Sequence, residues 1–571
     1  MQGHLSCIWP EIESSEVKER GEAKLTATIK SLIFIESQPV NEPDYLYVKS
    51  LFFYPMSSDS SVKRIFSGSA WGIMAKILDA AAKFVTIPLL VGYYGKVDYG
   101  LIALAFSLNA YLRLMDLGMN VGSVRFFSMW VAKEEWVKIQ KVSRSSIVFY
   151  GTIGLVNALI FFLMADYGKY FFNLAEHQLP IYRWMMYILS ASAVFNWLSN
   201  VVIQLLSAKD ELGYVNRVTV LSSVLNFVVA LLAITFEWPL TLYFFFYILS
   251  TLVPIPFNVH RLRVYPLSLS QLLLPKWDGI AFKEIIGYSM AIFIMGLFQL
   301  TANELRPILL AKYASGMDVL TDYRVIQTIA MLILSFGGIF LQVLLPSASK
   351  IYAENNPPKL EKMVIEATKY ISVFLCLIVF LLILNASDIL LLYMGEDYQY
   401  LAIWMIIWLL TVLLSMHNTP VASLVLSSGK TRQLVYSSAA ACIISLPITV
   451  IFAPTLNVGA AVIGYFVYMI IQIGFFYIYY IPKVLKLNNA RIFFGSFFPS
   501  VLGAFIAFVV GHYVGMWLEL PEGIVSILVK SSIYGVLYIA FQVAFVIKRA
   551  DINYLKEQLL KKKVQNTEHN G

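Results

Sequence analysis

Apolar runs of about twenty residues, parted by short polar stretches, recur from residue 70 to residue 547. About twenty helical residues cross the roughly 30 Å of hydrocarbon in a bilayer, so the pattern predicts membrane-spanning helices. About fourteen spans are expected, near 70–94, 99–124, 145–166, 184–206, 217–236, 239–258, 286–312, 322–346, 369–393, 400–427, 433–453, 458–481, 495–517 and 523–547, with ends placed to about 2–4 residues. The strict alternation of a membrane β-barrel is absent. The expected fold class is an all-α integral membrane protein of about fourteen transmembrane helices: two six-helix lobes related by a pseudo-twofold repeat, plus two C-terminal helices.

The repeat rests on matching positions. Pro88 in the first span leads into Leu89-Leu90-Val91-Gly92-Tyr93-Tyr94, and Pro307 in the seventh leads into Ile308-Leu309-Leu310-Ala311-Lys312-Tyr313; Asp98-Tyr99 and Asp322-Tyr323 then follow. Each proline removes a helical hydrogen bond, which predicts a bend in each of these spans. The expected division is a polar extension at 1–61, an N-terminal lobe at 62–259, a cytoplasmic inter-lobe connection at 260–284, a C-terminal lobe at 285–482, an added helix pair at 483–547 and a basic cytoplasmic tail at 548–571. Leu267–Leu274 in the connection is apolar enough to lie along the membrane surface. Residues 1–61 lack the ordered elements of a signal peptide. Met56 opens Met-Ser-Ser-Asp-Ser-Ser-Val-Lys-Arg, a natural start that would make 1–55 an upstream extension outside the translated protein.

Composition agrees with the pattern. The 571 residues are 59% hydrophobic and 14% charged, with a mean hydropathy of +0.71, more apolar surface than a water-soluble chain can hide. The net charge of +8 suggests nucleic acid until its placement is considered. Alternate loops hold nearly all the basic residues, among them Lys133, Lys138, Lys141, Arg144, Lys209, Arg261, Arg263, Lys276, Lys283, Lys359, Lys362, Lys483, Lys486 and Arg491, while the opposite loops hold Lys96, Lys169, Arg183, Lys312 and Arg324. That asymmetry places both termini in the cytoplasm of a multi-pass protein, with anionic lipid rather than nucleic acid beside the basic loops. Three cysteines without metal-ligand spacing predict neither a disulfide framework nor a metal site, and no Walker A loop or other cofactor motif is present.

Ionisable residues inside spans carry the candidate chemistry, because each costs several kcal/mol in lipid unless it faces protein or water. Lys76, Asp79 and Lys83 share one face of the first span. One reading has Lys76 snorkel to the interface while Asp79 and Lys83 pair along the helix. The other makes the stripe a cavity wall whose net positive charge meets phosphate or pyrophosphate. The second span adds Arg113, a cavity candidate, and Asp116, with Arg125 as an interfacial anchor; the seventh holds Asn303, Glu304 and Arg306 before Pro307. Glu304 either exchanges a proton during transport or pairs with a basic residue of the first span. Its two-residue offset from Arg306 sends the two side chains to different faces. Lesser signals are a stripe of Asn196, Asn200 and Gln204, a lone intramembrane His417 beside Asn418, and Lys530 as a lipid or partner contact.

The run Ile87-Pro88-Leu89-Leu90…Gly95…Asp98-Tyr99-Gly100-Leu101, with Tyr111-Leu112-Arg113-Leu114-Met115-Asp116-Leu117-Gly118…Arg125, resembles the opening of bacterial polysaccharide-repeat-unit flippases. These are the O-antigen and exopolysaccharide transporters of the multidrug/oligosaccharidyl-lipid/polysaccharide exporter superfamily. The resemblance covers about 62–549 and is carried by span number, short loops and a few Gly, Tyr and Asp positions. It implies a non-enzymatic flippase in the bacterial cytoplasmic membrane that moves polyprenyl-diphosphate-linked oligosaccharide by alternating access, with the polysaccharide polymerase machinery as a further partner. It also implies a V-shaped basic cavity in which Lys76, Lys83, Arg113 and Arg306 contact the head group, supported by Asp79, Asp116, Glu304 and Asn303. Competing readings are a multidrug or cation exporter, a lipid-linked peptidoglycan precursor flippase and, from another class, an intramembrane polysaccharide polymerase. A cation exporter calls for an acidic cavity, and the first span is net positive.

Overall fold

The computed structural model describes residues 59–353, 356–428 and 432–547. The expectations for 1–55 and for the basic tail at 548–571 fall outside these residues. Among the described residues there is helix and no strand. Every backbone N–H and C=O must be satisfied within lipid, and a helix does so inside one segment. The principal helices are α1 (Asp59–Tyr94), α2 (Lys96–Asp116 and Met119–Ala132, bent by 47°), α3 (Trp136–Phe171), α4 (Glu176–Ala208), α5 (Leu212–Thr235) and α6 (Leu240–Val264). There follow α7 (Gly279–Tyr313), α8 (Asp318–Ala353), α9 (Pro357–Leu384), α10 (Glu396–His417), α11 (Arg432–Leu456), α12 (Val458–Val484), α13 (Asn489–Trp517) and α14 (Ile524–Val546).

Ten of these, α3–α6 and α9–α14, are long and apolar enough to cross a membrane, and the bent α2 and α7 bring the number to twelve. The helices α1 and α8 stand at the two remaining expected positions. The chain is a multi-pass membrane protein. Two expected spans are interrupted. The ninth ends at Leu384, where the Asn385 side chain donates to the Leu381 carbonyl and to Ser531 Oγ, and a short helix, Ala386–Met394, follows. The tenth breaks at Asn418, and Thr419–Ser428 continues it; Pro420 has no N–H to offer the preceding turn.

The bend in the seventh span is not where its proline predicts. It lies between Gly279–Ile294 and Gly296–Tyr313, at 57°, and Pro307 sits within the second segment. Packing accounts for the position, because the two segments serve different neighbours. The first lies against the second half of α2 and against α3, while the helix also packs on α11 and α12. At the crossing with α2, Gly118 and Gly122 stand one turn apart and face Ser289 so closely that a Cβ on either would collide with it. Gly118 also has φ +72°, a left-handed conformation that glycine adopts without strain. Small residues four apart let two helices approach where lipid supplies no hydrophobic drive between them.

The buried core is continuous at one end of the bundle and divided at the other. Where α1 turns into α2 and α7 into α8, Ile87, Leu104 and Phe244 share one cluster with Leu310, Val325 and Leu409 of the C-terminal half. At the end bearing the basic connections, one cluster gathers Met119, Trp130, Leu205, Leu272 and Ile285, and a separate one gathers Leu360, Val364, Leu424, Tyr480 and Ile492. Among the described residues, the two halves therefore share one core at the corner end; at the basic end the start of α7 joins the N-terminal cluster, and the rest of the C-terminal half holds a separate one.

The final pair, α13 and α14, is clamped to the rest by a buried charge. Asp388 accepts from the Gly523 N–H, Ser526 Oγ and Lys530 Nζ, each at 3.0 Å, and the hydroxyls of Tyr534 and Tyr538 donate to the carbonyls of Cys376 and Val373. Lys530, read from sequence as a lipid or partner contact, is instead this internal ion pair. Lys530→Met should destabilise the protein by about 1–3 kcal/mol, less than full loss of a buried pair because Asp388 keeps two donors. Thermal unfolding in detergent measures this; Lys530→Arg should retain more stability than Lys530→Met.

Candidate functional site

On α1, Lys83 Nζ lies 2.7 Å from Asp79 Oδ2, and both side chains are about half exposed. The i, i+4 pair anticipated from spacing is therefore formed. Lys76, one turn away on the same face, is exposed and makes no ion pair among the described residues. Directly after Lys83, the Phe84 ring stacks on Tyr393 of the Ala386–Met394 helix at 4.3 Å. The stripe thus lies beside a contact between the two halves.

The break in α2 distributes its charges differently from a straight helix. Arg113–Asp116 form a tight 3-10 turn, and Leu117 and Gly118 are left-handed. Asp116 accepts from Tyr150 Oη at 2.6 Å and from the Asn120 N–H at 3.0 Å, so it caps the helix that restarts after the break. Gln204 Nε2 donates to the same Tyr150 hydroxyl at 2.7 Å. Asp116 and Gln204 thereby tie α2, α3 and α4 together. Arg113 begins the turn, its side chain exposed and without a hydrogen bond among the described residues. Unpaired carbonyls at the preceding helix end favour a cation there.

In the C-terminal half, Arg306 is only 1% exposed. Its guanidinium donates to the Ala302 carbonyl, to Ser445 Oγ at 3.0 Å and to the Gly464 carbonyl at 3.3 Å. It also lies 5.4 and 5.8 Å from the rings of Tyr465 and Tyr468. In this conformation Arg306 holds α7, α11 and α12 together rather than lining open space. Asn303 and Glu304 are half-buried, with no hydrogen-bond partner among the described residues. His417 is fully buried, its Nε2 3.0 Å from Tyr477 Oη and its ring stacked 4.0 Å from Phe497, a packing role.

Arg324 joins the two sets of charges. Sequence reading counted it among the loop charges at the start of the expected span 322–346; it lies in the second turn of α8. Its guanidinium donates to Gln327 Oε1 at 2.7 Å and crosses to the N-terminal half at Ser107 Oγ, 3.0 Å away. Tyr247 lies within electrostatic reach of Asp79, Arg113 and Arg324, and Tyr323 within reach of Arg306, Arg324 and Glu304. The tertiary structure thus brings Asp79, Arg113, Arg324 and Glu304 around one inter-lobe region. The available signal was that Arg324 follows the repeated Asp-Tyr pair, inside an expected span.

The corner end above this region is held by polar contacts as well as by apolar core. Lys96 Nζ lies 2.7 Å from Asp322 Oδ1, and Tyr400 Oη donates to the other carboxylate oxygen. Lys96 also donates to Tyr400 Oη at 2.9 Å and sits 5.0 Å from the Tyr398 ring. Thr321 Oγ1 donates to the Lys96 carbonyl at 2.6 Å. The two corners carrying the repeated Asp-Tyr motif therefore meet directly.

Known proteins share this architecture. The model of the family described as "Polysaccharide biosynthesis protein" matches residues 65–352. An inward-facing multidrug resistance MATE family transporter of the MOP superfamily is similar in fold with a TM-score of 0.59 at 15% identity, over 72% of this chain and 96% of that one. The lipid II flippase MurJ, in an inward closed conformation, gives 0.65 at 13% identity, over 83% of this chain and 98% of that one. No curated protein sequence matches the chain. At these identities the solved structures speak for the fold alone, while the family model covers half of the sequence: the chain belongs to the polysaccharide biosynthesis protein family.

Proposed function

We propose that this protein is a flippase that moves polyprenyl-diphosphate-linked oligosaccharide repeat units across the bacterial cytoplasmic membrane by alternating access, and that it is not an enzyme. The observation that carries the reading is the divided core: both halves share apolar packing at the corner end, while at the basic end the N-terminal half, with the start of α7, and the remaining C-terminal half hold separate cores. With the basic end in the cytoplasm, as the loop charges favour, this is a conformation closed to the outside. Lys76, Lys83 and Arg113 are exposed and in this reading line the open side of the cleft, with Arg324, at the contact between the halves, at its closed limit. Three or four cations against Asp79 and Glu304 leave a net positive site, suited to a diphosphate and unsuited to a cationic drug. The polyprenyl tail remains in lipid. The pseudo-twofold lobes rock about the 260–284 connection, and the polymerase machinery receives the unit outside. The fold is shared with a drug transporter and a lipid II flippase and does not choose among substrates; charge does.

A deletion strain complemented with the gene tests this, by locating the lipid-linked intermediate. Single units accumulating on the cytoplasmic face in the deletion, with polymer absent, are expected. Units on the outer face without polymer would indicate a polymerase instead. Glu304 is assigned to ion coupling, as a half-buried carboxylate without a hydrogen-bond partner among the described residues. Glu304→Gln should reduce the response of transport to an imposed proton or sodium gradient about tenfold while retaining substrate binding. An unchanged gradient response removes Glu304 from that role.

A further inference from the structure

The connection between α6 and α7 is fixed to the N-terminal half in a way that leaves an apolar and basic patch facing outward. Tyr265 Oη donates to the Leu205 carbonyl at 2.7 Å, and Lys209 Nζ lies 4.6 Å from the Trp136 ring and 5.2 Å from the Tyr265 ring. Leu269–Leu273 is a helical turn closed by a reciprocal Ser268–Gln271 cap, and it buries Leu272 in the cluster that holds Trp130 and Leu205. The chain beyond it is pinned to α3: Arg144 Nε donates to the Leu274 carbonyl at 2.7 Å, and the Asp278 N–H donates to Ser145 Oγ at 2.8 Å. Asp278 then caps α7 through the Ala281 N–H. That hydrogen bond, with Lys141 alongside, holds its carboxyl below the usual range.

Most of the apolar run expected to lie on the membrane is spent on protein: Leu267, Leu269 and Leu273 pack against the same cluster as Leu272. The large apolar side chains left outward are the last of that run, Leu274 at 54%, and two beyond it, Trp277 at 54% and Ile280 at 86% exposure. One side of the Trp277 ring meets buried Phe282 at 4.9 Å, which fixes the ring in place with its remaining surface outward. Around them stand the exposed cations Lys138, Lys141, Lys276 and Lys283. Lys138 pairs with Glu135 at 2.8 Å and Lys141 with Asp278 at 3.7 Å, both on the surface. Lys276 and Lys283 have no ion-pair partner among the described residues. Tryptophan favours the level where acyl chains meet head groups, and lysine reaches from there to phosphate.

We propose that Leu274, Trp277 and Ile280 insert into the membrane interface as an anchor selective for acidic phospholipid, with Lys276 and Lys283 as the principal head-group contacts. The partner follows from charge complementarity: each lysine near an anionic surface adds attraction that a zwitterionic surface does not supply. The anchor holds the N-terminal half and the first segment of α7 at a fixed depth, leaving the C-terminal half to move against them.

The test uses the full-length protein in lipid nanodiscs of phosphatidylcholine containing either brominated phosphatidylglycerol or brominated phosphatidylcholine at equal mole fraction. The Trp277 signal is the difference in emission between the parent protein and Trp277→Phe. Trp277 should be quenched by both lipids, and by the phosphatidylglycerol about twofold or more as strongly. Lys276→Gln with Lys283→Gln should abolish that preference while leaving quenching by phosphatidylcholine intact, a result that a misfolded variant would not give. Equal quenching by both lipids in the parent overturns the selectivity. Absence of quenching overturns the anchor altogether and indicates that a second copy or another protein covers the patch.

Discussion

Lys83→Ala combined with Arg113→Ala should abolish surface polysaccharide in a complemented deletion strain while the protein inserts at its normal level. Each side chain supplies a charge-assisted contact to the diphosphate, of about 1.5–3 kcal/mol. Losing both costs roughly 3–6 kcal/mol, or about 10²- to 10⁴-fold in transport if they act independently. Neither side chain carries the fold. Lys83 is half exposed and paired only with Asp79, and Arg113 is exposed at the α2 break. Lys83→Arg should keep most activity, since charge rather than shape is required. Normal polysaccharide at normal expression in the double variant sinks the proposed binding site. Asp116→Ala belongs to another class: it removes the cap and the Tyr150 acceptor and should lower stability before transport.

Opening of the corner end should be strongly promoted by Lys96→Met. Asp322 is only 4% exposed and accepts from Lys96 and Tyr400; without the ammonium, a buried carboxylate keeps a single hydroxyl donor. Loss of one partner from a buried pair costs about 3–5 kcal/mol, and the partial exposure of Lys96 lowers this to roughly 2–3 kcal/mol. The closed state should therefore lose about 30- to 150-fold in population relative to the open one. A cysteine at Ser107, buried beneath Arg324 in the sealed interface, reports the change in a background free of the native cysteines. A membrane-impermeant maleimide supplied from the corner side should label it faster by a similar factor when Lys96 is Met. Lys96→Asp with Asp322→Lys should recover part of the protection. Unchanged labelling in Lys96→Met means the contact does not gate that end.

The membrane, the all-helical class and the approximate positions of the helices were legible in the sequence. Hydrophobic length and buried ionisable cost are properties of single segments, and lipid imposes them on each helix separately. The Asp79–Lys83 pair was equally local, set by four residues of helical spacing. What each charge touches was not local. Arg306 looks like a cavity residue along the chain, yet Ser445 and Gly464, about 140 and 160 residues away, absorb its guanidinium. Lys530 looks lipid-bound until Asp388 meets it. Arg324 looks like a span-end charge until Ser107 places it between the lobes. A proline specifies where a helix can bend, but α7 bends where its neighbours change, beside the Gly118–Ser289 crossing. Sequence by itself determined the class of solvent, the helical class and the approximate placement of the helices. Only the tertiary structure decided which cations remain exposed and which end is sealed, because both depend on partners contributed by helices far apart in the chain.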